Sequence, residues 1–393
     1  MSETKTDIPE LELLEFTSAT RLEFGVGALS SLGEMVRGLG VRHVLLVTDK
    51  GIVTAGHSAR AEKSLTAAGI RVTVFDRVRE NPTTKCVDDC VAAARQAGVD
   101  GLVGLGGGSS MDTAKGCNFI LTNGGRMQDF WGVGKATKPM LPFIAIPTTA
   151  GTGSEIQCAA LIADEITHQK MACLDPKCAA AIAILDPELT ASQPPRVTAC
   201  TGIDAIAHAV ETAVTTKRTD LSQRLSREAF KLCFASLPVV LARPDYLPGR
   251  THMQLGAAYA GAAIENSMLG AAHAAANPLT AHFGIVHGHA VGMMLPHVVR
   301  FNAGDEAANA TYRALAEGAR LGTNGTAPAE VLAKRLQALL PLAGLPTGLR
   351  ECQVERTAMP RLAEEAARQW TATFNPRPAS AADFLRLYEL AWE

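Results

Sequence analysis

Short apolar runs alternate with helical stretches through the first half of the chain, and this order leaves few folds open to it. The runs cover residues 41–49, 70–78, 98–108 and 142–150, and they contain many β-branched side chains. Strands separated by helices pair in parallel, with the helices packed on the faces of the sheet. The unbroken apolar run at 143–146 fits a strand buried on both faces. The sequence therefore predicts an α/β domain with a parallel sheet.

The pattern changes near residue 195. Pro187, Pro194 and Pro195 mark a connecting segment, and β-branched clusters are rare beyond it. The later sequence is rich in Ala, Leu, Glu and Arg at helical spacing. We therefore expect two domains, an α/β domain at residues 1–195 and an all-helical domain at residues 196–393.

Composition and charge exclude several classes of protein. Hydrophobic residues make up 47% of the chain and charged residues 19%, which is typical of a packed globular protein and not of a disordered one. The formal net charge of −2 gives no electrostatic attraction to nucleic acid or to an anionic membrane. The Ala/Gly-rich stretch at 255–276 carries Glu265, Asn266 and His273, which are costly in a bilayer. We predict a tightly packed helix there and no membrane or nucleic-acid partner.

Cysteine usage and the first residues favour the cytoplasm. The nine cysteines are odd in number and include no C-x-x-C pair, so we expect them to be reduced and mostly buried. The N-terminal stretch is acidic and lacks the basic and apolar segments of a signal peptide. We expect a cytoplasmic protein.

A glycine-rich turn joins a predicted strand to a predicted helix in GLVGLGGGSSMDTAKG, residues 101–116. Gly106, Gly107 and Gly108 would let the backbone approach a phosphate closely, and the N–H groups of the following helix would face it. Read from Gly104, the spacing is G-x-G-x-x-S, which is not the Rossmann fingerprint. Taken alone, the turn fits an ordinary strand–helix connection equally well.

Two further features favour dinucleotide binding. Asp49 ends the strand at 41–49, where a carboxylate can accept hydrogen bonds from a ribose 2′-hydroxyl and repel a 2′-phosphate. The loop PTTAGTGSE at 147–155 follows another buried strand and supplies hydroxyl and N–H donors without bulk. Together with the glycine turn, they predict a site that prefers NAD(H) to NADP(H).

A candidate metal site lies in the second half. Asp204 and His208 are four residues apart, so a helix would place both side chains on one face. His273 and His287 stand among Ala and Gly residues that indicate buried surfaces, where an unpartnered imidazole would be costly. Because Pro278 should interrupt a helix, we expect His273 near the end of one helix and His287 at the start of the next. One carboxylate and three imidazoles suit Fe(II) or Zn(II).

The motifs together resemble those of the iron-containing (group III) alcohol dehydrogenases. The motifs are LEFGVGAL, GGGSSMDTAK, PTTAGTGSE, GIDAIAHAVE, the HG at His287 and FNPRPASAADFLRLYELAW. They occur in the same order as in the family and extend over nearly the whole chain. The resemblance implies a dehydroquinate synthase-like architecture, with an α/β NAD-binding domain and an all-α metal-binding domain. It also implies Fe(II) as the first choice of metal, with Zn(II) possible, and a homodimer or higher homo-oligomer.

The resemblance also assigns residues. The metal ligands it implies are Asp204, His208, His273 and His287. The cofactor residues it implies are Asp49 at the adenosine ribose, Asn81 near the adenosine, Gly107, Gly108 and Ser109 at the pyrophosphate, and Thr148, Thr149, Thr152 and Lys170 around the rest of the pocket.

One position departs from the family pattern. Many relatives have H-x-x-x-H-P-L-G where this chain has His273, three alanines and then Asn277. The second histidine of that pattern is often given a role in proton relay or substrate contact. An amide can orient a hydroxyl group but cannot titrate, so Asn277 cannot act as a general base. We predict that the proton leaves through water or through a histidine such as His282 or His289.

The sequence thus predicts a metal-dependent, NAD(H)-linked alcohol dehydrogenase, equivalently an aldehyde reductase. Hydride would pass between a small metal-bound alcohol and C4 of the nicotinamide. One alternative is an NAD- and metal-using cyclase that resembles dehydroquinate synthase, although the motifs after residue 200 are poor in the Lys and Arg that its anionic substrate needs. The other is a non-enzymatic dinucleotide-binding or filament-forming module, which would have no need of four metal ligands.

Overall fold

The computed structural model describes residues 8–11, 13–167, 169–322 and 325–393. The first seven residues, on which the prediction of no signal peptide partly rests, lie outside the described residues. The chain divides into two compact units. One is Thr17–Gln193, and the other is Pro194–Glu393 together with the segment that ends at Phe16.

The first unit is the predicted α/β domain. Its strands are β1 (Arg21–Phe24), β2 (His43–Val47), β3 (Arg71–Phe75), β4 (Gly101–Gly106), β5 (Gly132–Val133), β6 (Phe143–Pro147), β7 (Ala159–Ala163), β8 (Lys170–Leu174) and β9 (Ile182–Leu185). Its helices are α1 (Leu32–Gly38), α2 (Lys50–Thr54), α3 (His57–Ala67), α4 (Thr84–Ala97) and α5 (Gly108–Asn123).

Six strands form the main sheet in the order β1-β9-β6-β4-β2-β3, and every neighbouring pair is parallel. The strands β2, β4, β6 and β9 are fully buried, which explains their unbroken apolar sequences. The predicted parallel sheet is therefore confirmed. A second sheet, in the order β5-β8-β7, was not predicted, because its antiparallel β7–β8 pair has no helix between the strands to mark it.

The order of the sheet brings three connections together. Strands β2, β4 and β6 are adjacent and parallel, so their carboxyl ends lie at one edge. Asp49 follows β2, Gly107 follows β4 and Thr148 follows β6. The Thr148 N–H donates to the Gly106 carbonyl at 2.9 Å, which joins two of these connections directly.

The second unit is helical, and its described residues contain no strand. Its helices are α6 (Pro195–Thr212), α7 (Asp220–Ala242), α8 (Leu247–Glu265), α9 (Ala271–Phe283), α10 (His287–Asn302), α11 (Glu306–Gly318), α12 (Pro328–Gln337), α13 (Leu339–Leu342), α14 (Met359–Ala367) and α15 (Ala381–Leu390). The predicted all-helical fold is confirmed. Among the described residues, no helix has the length and apolar character needed to cross a membrane.

Two local predictions were wrong. The stretch at 255–276 is not one helix, because α8 ends at Glu265 and α9 begins at Ala271. Pro278 does not interrupt α9, so His273 lies in the first turn of that helix and not near its end. A proline leaves carbonyl groups of the preceding turn without their helical partner. The Tyr388 hydroxyl donates to the Ala275 carbonyl at 2.7 Å, three residues before the proline.

Candidate metal centre and dinucleotide site

Three helices of the second unit bring the four predicted metal ligands together. The Oδ1 atom of Asp204 lies 3.6 Å from His208 Nε2, 3.4 Å from His273 Nε2 and 3.9 Å from His287 Nε2. Asp204 and His208 come from α6, as their four-residue spacing requires, and the other two histidines come from the starts of α9 and α10. Asp204, His208 and His273 are buried, and the side chain of His287 is 28% exposed.

Close helix packing sets these distances. Helix α10 crosses α6 at Gly288, directly after His287. A Cβ atom at residue 288 would overlap the Cys200 carbonyl oxygen and approach Asp204 Cβ to 3.1 Å. Only glycine lets α10 come near enough to place His287 beside Asp204.

The chemistry of these side chains fits a divalent cation. Within the part of the chain that the structure describes, the buried atoms Asp204 Oδ1 and His273 Nε2 have no hydrogen-bond partner, which is costly for polar groups in a protein interior. Burial tends to raise the pKa of Asp204, but the three neighbouring imidazoles hold it well below its usual range. An ionised carboxylate facing three Nε2 atoms is a donor set that binds Fe(II) or Zn(II).

A second carboxylate, Glu211, supports this cluster and was not predicted. It is buried on α6 and contacts His273 Nδ1, on the side of the ring away from Asp204. The available signal was its spacing of seven residues from Asp204, which is two helical turns and therefore the same face.

Asn277 lies one turn after His273 on α9, and its Nδ2 donates to Gln369 Oε1 at 3.1 Å. The two histidines predicted as proton carriers are engaged elsewhere. His282 lies nine residues after His273, on the opposite face of α9, and its Nε2 donates to Glu365 at 2.6 Å. His289 is buried and donates from Nε2 to the Pro346 carbonyl at 2.8 Å. Neither position supports the predicted relay.

In the α/β unit, the glycine turn packs against the loop after β6. A Cβ atom on Gly107 would lie 3.4 Å from Thr149 Cγ2, and one on Gly108 would lie 3.0 Å from Thr152 Cγ2. Helix α5 begins at Gly108, and the Gly107 N-cap provides no side chain to bond its first N–H groups. Among the described residues no side chain caps these N–H groups, and the turn forms a narrow cradle of the kind that binds a phosphate. Ser109 lies in the same first turn.

Asp49 stands beside this cradle. It is the N-cap of α2, and its Oδ1 accepts from the Ile52 N–H at 3.1 Å. Its Oδ2 would lie 3.5 Å from a Cβ atom at Gly106. The structure thus brings the residues after β2, β4 and β6 together.

Two predicted cofactor residues lie on elements other than the three connections that form the cradle. Asn81 is exposed in the turn before α4, with a left-handed backbone at φ 51°. Lys170 is the exposed first residue of β8 in the smaller sheet. Among the described residues, no hydrogen bond or ion pair joins either of them to the glycine turn.

A buried lysine beneath the cradle was not predicted. Lys115 is 1% exposed, and its Nζ contacts the carbonyls of Ser154 at 2.6 Å, Gln157 at 2.8 Å and Ala159 at 3.0 Å. Ser154 Oγ donates to Asp112 Oδ1 at 2.9 Å. The lysine therefore fastens α5 to the loop after β6. The available signal was that Asp112 and Lys115 are the only charged residues of α5.

Comparison with known proteins extends over both units. A family model described as "Iron-containing alcohol dehydrogenase" matches residues 19–187, and one described as "Fe-containing alcohol dehydrogenase family, C-terminal" matches residues 198–392. Lactaldehyde reductase of Escherichia coli (strain K12) is 33% identical over 374 residues, or 94% of this chain and 97% of that protein.

Solved structures agree with these matches. A 1,3-propanediol oxidoreductase superposes with a TM-score of 0.93 at 30% identity, covering 97% of this chain and 100% of that one. The sulfoacetaldehyde reductase of Bifidobacterium kashiwanohense, solved in complex with NAD+, gives a TM-score of 0.86 at 28% identity, covering 97% and 99%.

Proposed function

Since the chain belongs to the iron-containing alcohol dehydrogenase family, we propose that it interconverts a small alcohol and the corresponding aldehyde with NAD(H). It is an oxidoreductase that acts on CH–OH groups. The observation that carries this proposal is the convergence of three imidazole Nε2 atoms on one buried oxygen of Asp204.

Asp204, His208, His273 and His287 would hold the metal, with Fe(II) as the first choice and Zn(II) as an ion that the same ligands suit. When bound, the metal supplies Lewis-acid polarisation of the substrate oxygen, and the nicotinamide supplies or accepts hydride at C4. The four side chains come from three packed helices, and such rigid support reduces the cost of organising a metal site.

The cofactor residues follow from the cradle. Gly107, Gly108 and Ser109 would bind the pyrophosphate through backbone N–H groups, and Asp49 would accept from the adenosine ribose hydroxyls. Support for these roles comes from the open N-terminus of α5 and the position of Asp49 beside Gly106. The residues proposed to line the rest of the pocket are Thr148, Thr149, Thr152, Lys170 and Asn81.

Asn277 would contact the substrate without exchanging a proton. Its place one turn after His273 puts it on the metal side of α9, and its bond to Gln369 fixes the orientation of the amide. With His282 and His289 engaged elsewhere, we propose that the proton leaves through water.

We propose a cytoplasmic enzyme that works as a homodimer or a higher homo-oligomer. Eight of its nine cysteines are buried and all nine are free thiols, which suits a reducing compartment. Its partners would be a small alcohol or aldehyde and the cofactor, with no nucleic acid and no membrane.

The first experiment measures NADH formation by metal-free protein with Fe(II), Zn(II) or no metal, across a panel of primary alcohols and diols. Turnover should require both NAD+ and metal, because the ligand cluster and the cradle serve different parts of one reaction. The activity of the Asp204→Asn variant should fall by more than about 100-fold. Loss of a residue that only supports a ligand costs up to about 100-fold, and Asp204 is proposed as a ligand itself.

Two results would count against this function. If the protein bound NAD+ and metal tightly but turned over no alcohol or aldehyde, the cyclase reading would become the better one. If Asp204→Asn kept full metal-dependent activity, the assignment of the metal centre would be wrong.

A further inference from the structure

Glu211 makes two contacts that no assigned role explains. It lies on α6, seven residues after Asp204, and only 3% of it is exposed. Its Oε2 atom lies 2.5 Å from His273 Nδ1, and its Oε1 atom accepts from the Ala272 N–H at 2.6 Å. One carboxylate therefore contacts both the ring of His273 and the backbone of the helix that carries it.

The contact between Glu211 Oε2 and His273 Nδ1 determines how the imidazole ring is turned. A carboxylate accepts, so the Nδ1–H of His273 donates to Glu211 and the Nε2 atom lies on the opposite side of the ring. Its Nε2 atom lies 3.4 Å from Asp204 Oδ1, and neither atom has a hydrogen-bond partner among the described residues. Glu211 therefore holds the ring with its Nε2 atom directed at the proposed metal position. Metal-binding histidines are commonly held by such a carboxylate.

The second contact caps α9. The N-cap of this helix is Gly270, which has no side chain to satisfy the first N–H groups. Glu211 accepts from Ala272, and Asn375 accepts from Ala271 at 3.2 Å. A Cβ atom at Gly270 would lie 3.1 Å from Glu211 Oε1, so the glycine keeps the space that the carboxylate occupies. The negative charge also lies at the positive end of the helix dipole.

We propose that Glu211 is a positioning residue that orients His273 toward the metal and ties metal binding to the start of α9. The inference rests on the proposed metal centre. Glu211 sets both the rotation of the ring and the position of its backbone, so losing the carboxylate would disturb the ligand in two ways.

The test compares Glu211→Gln with Glu228→Gln by titrating Zn(II) into metal-free protein in a calorimeter. Glu228 is a matched control, because it is also a buried helical glutamate of this unit but bonds Lys231 and no metal ligand. The amide can accept at one atom only, and its NH2 would face a second donor. We expect Glu211→Gln to weaken Zn(II) binding about 10- to 100-fold, and the control to leave it unchanged. The metal-induced rise in melting temperature should shrink in parallel.

A second variant covers the case in which Glu211→Gln does not fold. Glu211→Asp keeps the charge but is one methylene shorter, so it cannot reach both Nδ1 of His273 and the Ala272 N–H. It should also bind Zn(II) more weakly, while NADH affinity, measured by fluorescence, stays at the wild-type value. Wild-type Zn(II) affinity in Glu211→Asp or in Glu211→Gln would overturn the inference alone. Failure of the unaltered chain to bind metal would overturn the proposed function with it.

Discussion

At the scale of single residues, Asp49 combines a structural role and a proposed recognition role that can be separated. Its Oδ1 caps α2, and Asn is as good an N-cap as Asp. Asp49→Asn therefore removes the negative charge and keeps the cap. We expect the KM for NADP+ to fall at least about 10-fold, the factor that corresponds to 1.4 kcal/mol, because the 2′-phosphate is no longer repelled.

The control for this prediction is the melting temperature, which should match that of the wild type. Unchanged selectivity between NAD+ and NADP+ in a well-folded Asp49→Asn protein would remove Asp49 from the ribose site.

The residues that the sequence predicted and those it missed differ in how far apart their partners lie. Asp204 and His208 were predicted to share a face because helix geometry fixes neighbours four residues apart. The Glu211–His273 contact spans 62 residues and the Lys115–Ser154 contact spans 39, so packing of separate elements decides them. A sequence shows that these residues are polar and surrounded by apolar ones, but it does not show which partner each one meets.

At the scale of elements, Lys115 makes α5 and the loop after β6 behave as one piece. Replacing it by Met keeps the volume but leaves three carbonyls without their donor and Asp112 without its nearby cation. We expect Lys115→Met to lower the free energy of unfolding by about 3 kcal/mol and to raise the KM for NAD+, since the loop borders the cradle.

Lys85→Met provides the comparison, because Lys85 is an exposed lysine on α4 that pairs with Asp89 at 3.0 Å. Its removal should change stability by less than about 1 kcal/mol, as is usual for surface ion pairs. Equal effects of the two substitutions in chemical denaturation would show that Lys115 does not fasten the loop.

Elements were predicted best where a pattern repeats. The first half alternates apolar strands with helices and the second half has helical spacing throughout, and both predictions were confirmed. The small sheet was missed because β7 and β8 have no helix between them. The end of helix α9 was misplaced because Pro278 was taken as a helix breaker, whereas it lies inside the helix.

At the scale of the whole molecule, Glu155 should make stability depend on pH. Burial raises the pKa of this carboxyl from its ordinary 4.5 to about 7, although its own backbone N–H and Lys115 oppose the change. The folded state therefore holds the proton more tightly than the unfolded state between pH 4.5 and 7. Stability from this group is present at low pH and is lost as the pH rises through that window, up to about 3 kcal/mol.

The Glu155→Gln substitution isolates this contribution from all other titrating groups. The variant should gain stability over the wild type as the pH rises from 5 to 8, in thermal or denaturant unfolding of metal-free protein at each pH. If the difference in unfolding free energy between the two proteins stayed constant with pH, the pKa of Glu155 would be the same in the folded and unfolded states, and the prediction would be wrong.

The crossing of α10 over α6 also limits how such an enzyme can be re-engineered. Residue 288 adjoins a proposed metal ligand, and a designer who wants a larger substrate pocket would naturally include it in a mutant library. Any added carbon there pushes against the Cys200 carbonyl and separates the two helices that hold the ligands. Substitutions at this position should therefore give inactive variants. A productive library should keep Gly288 and vary the residues around Asn277 and Gln369 instead.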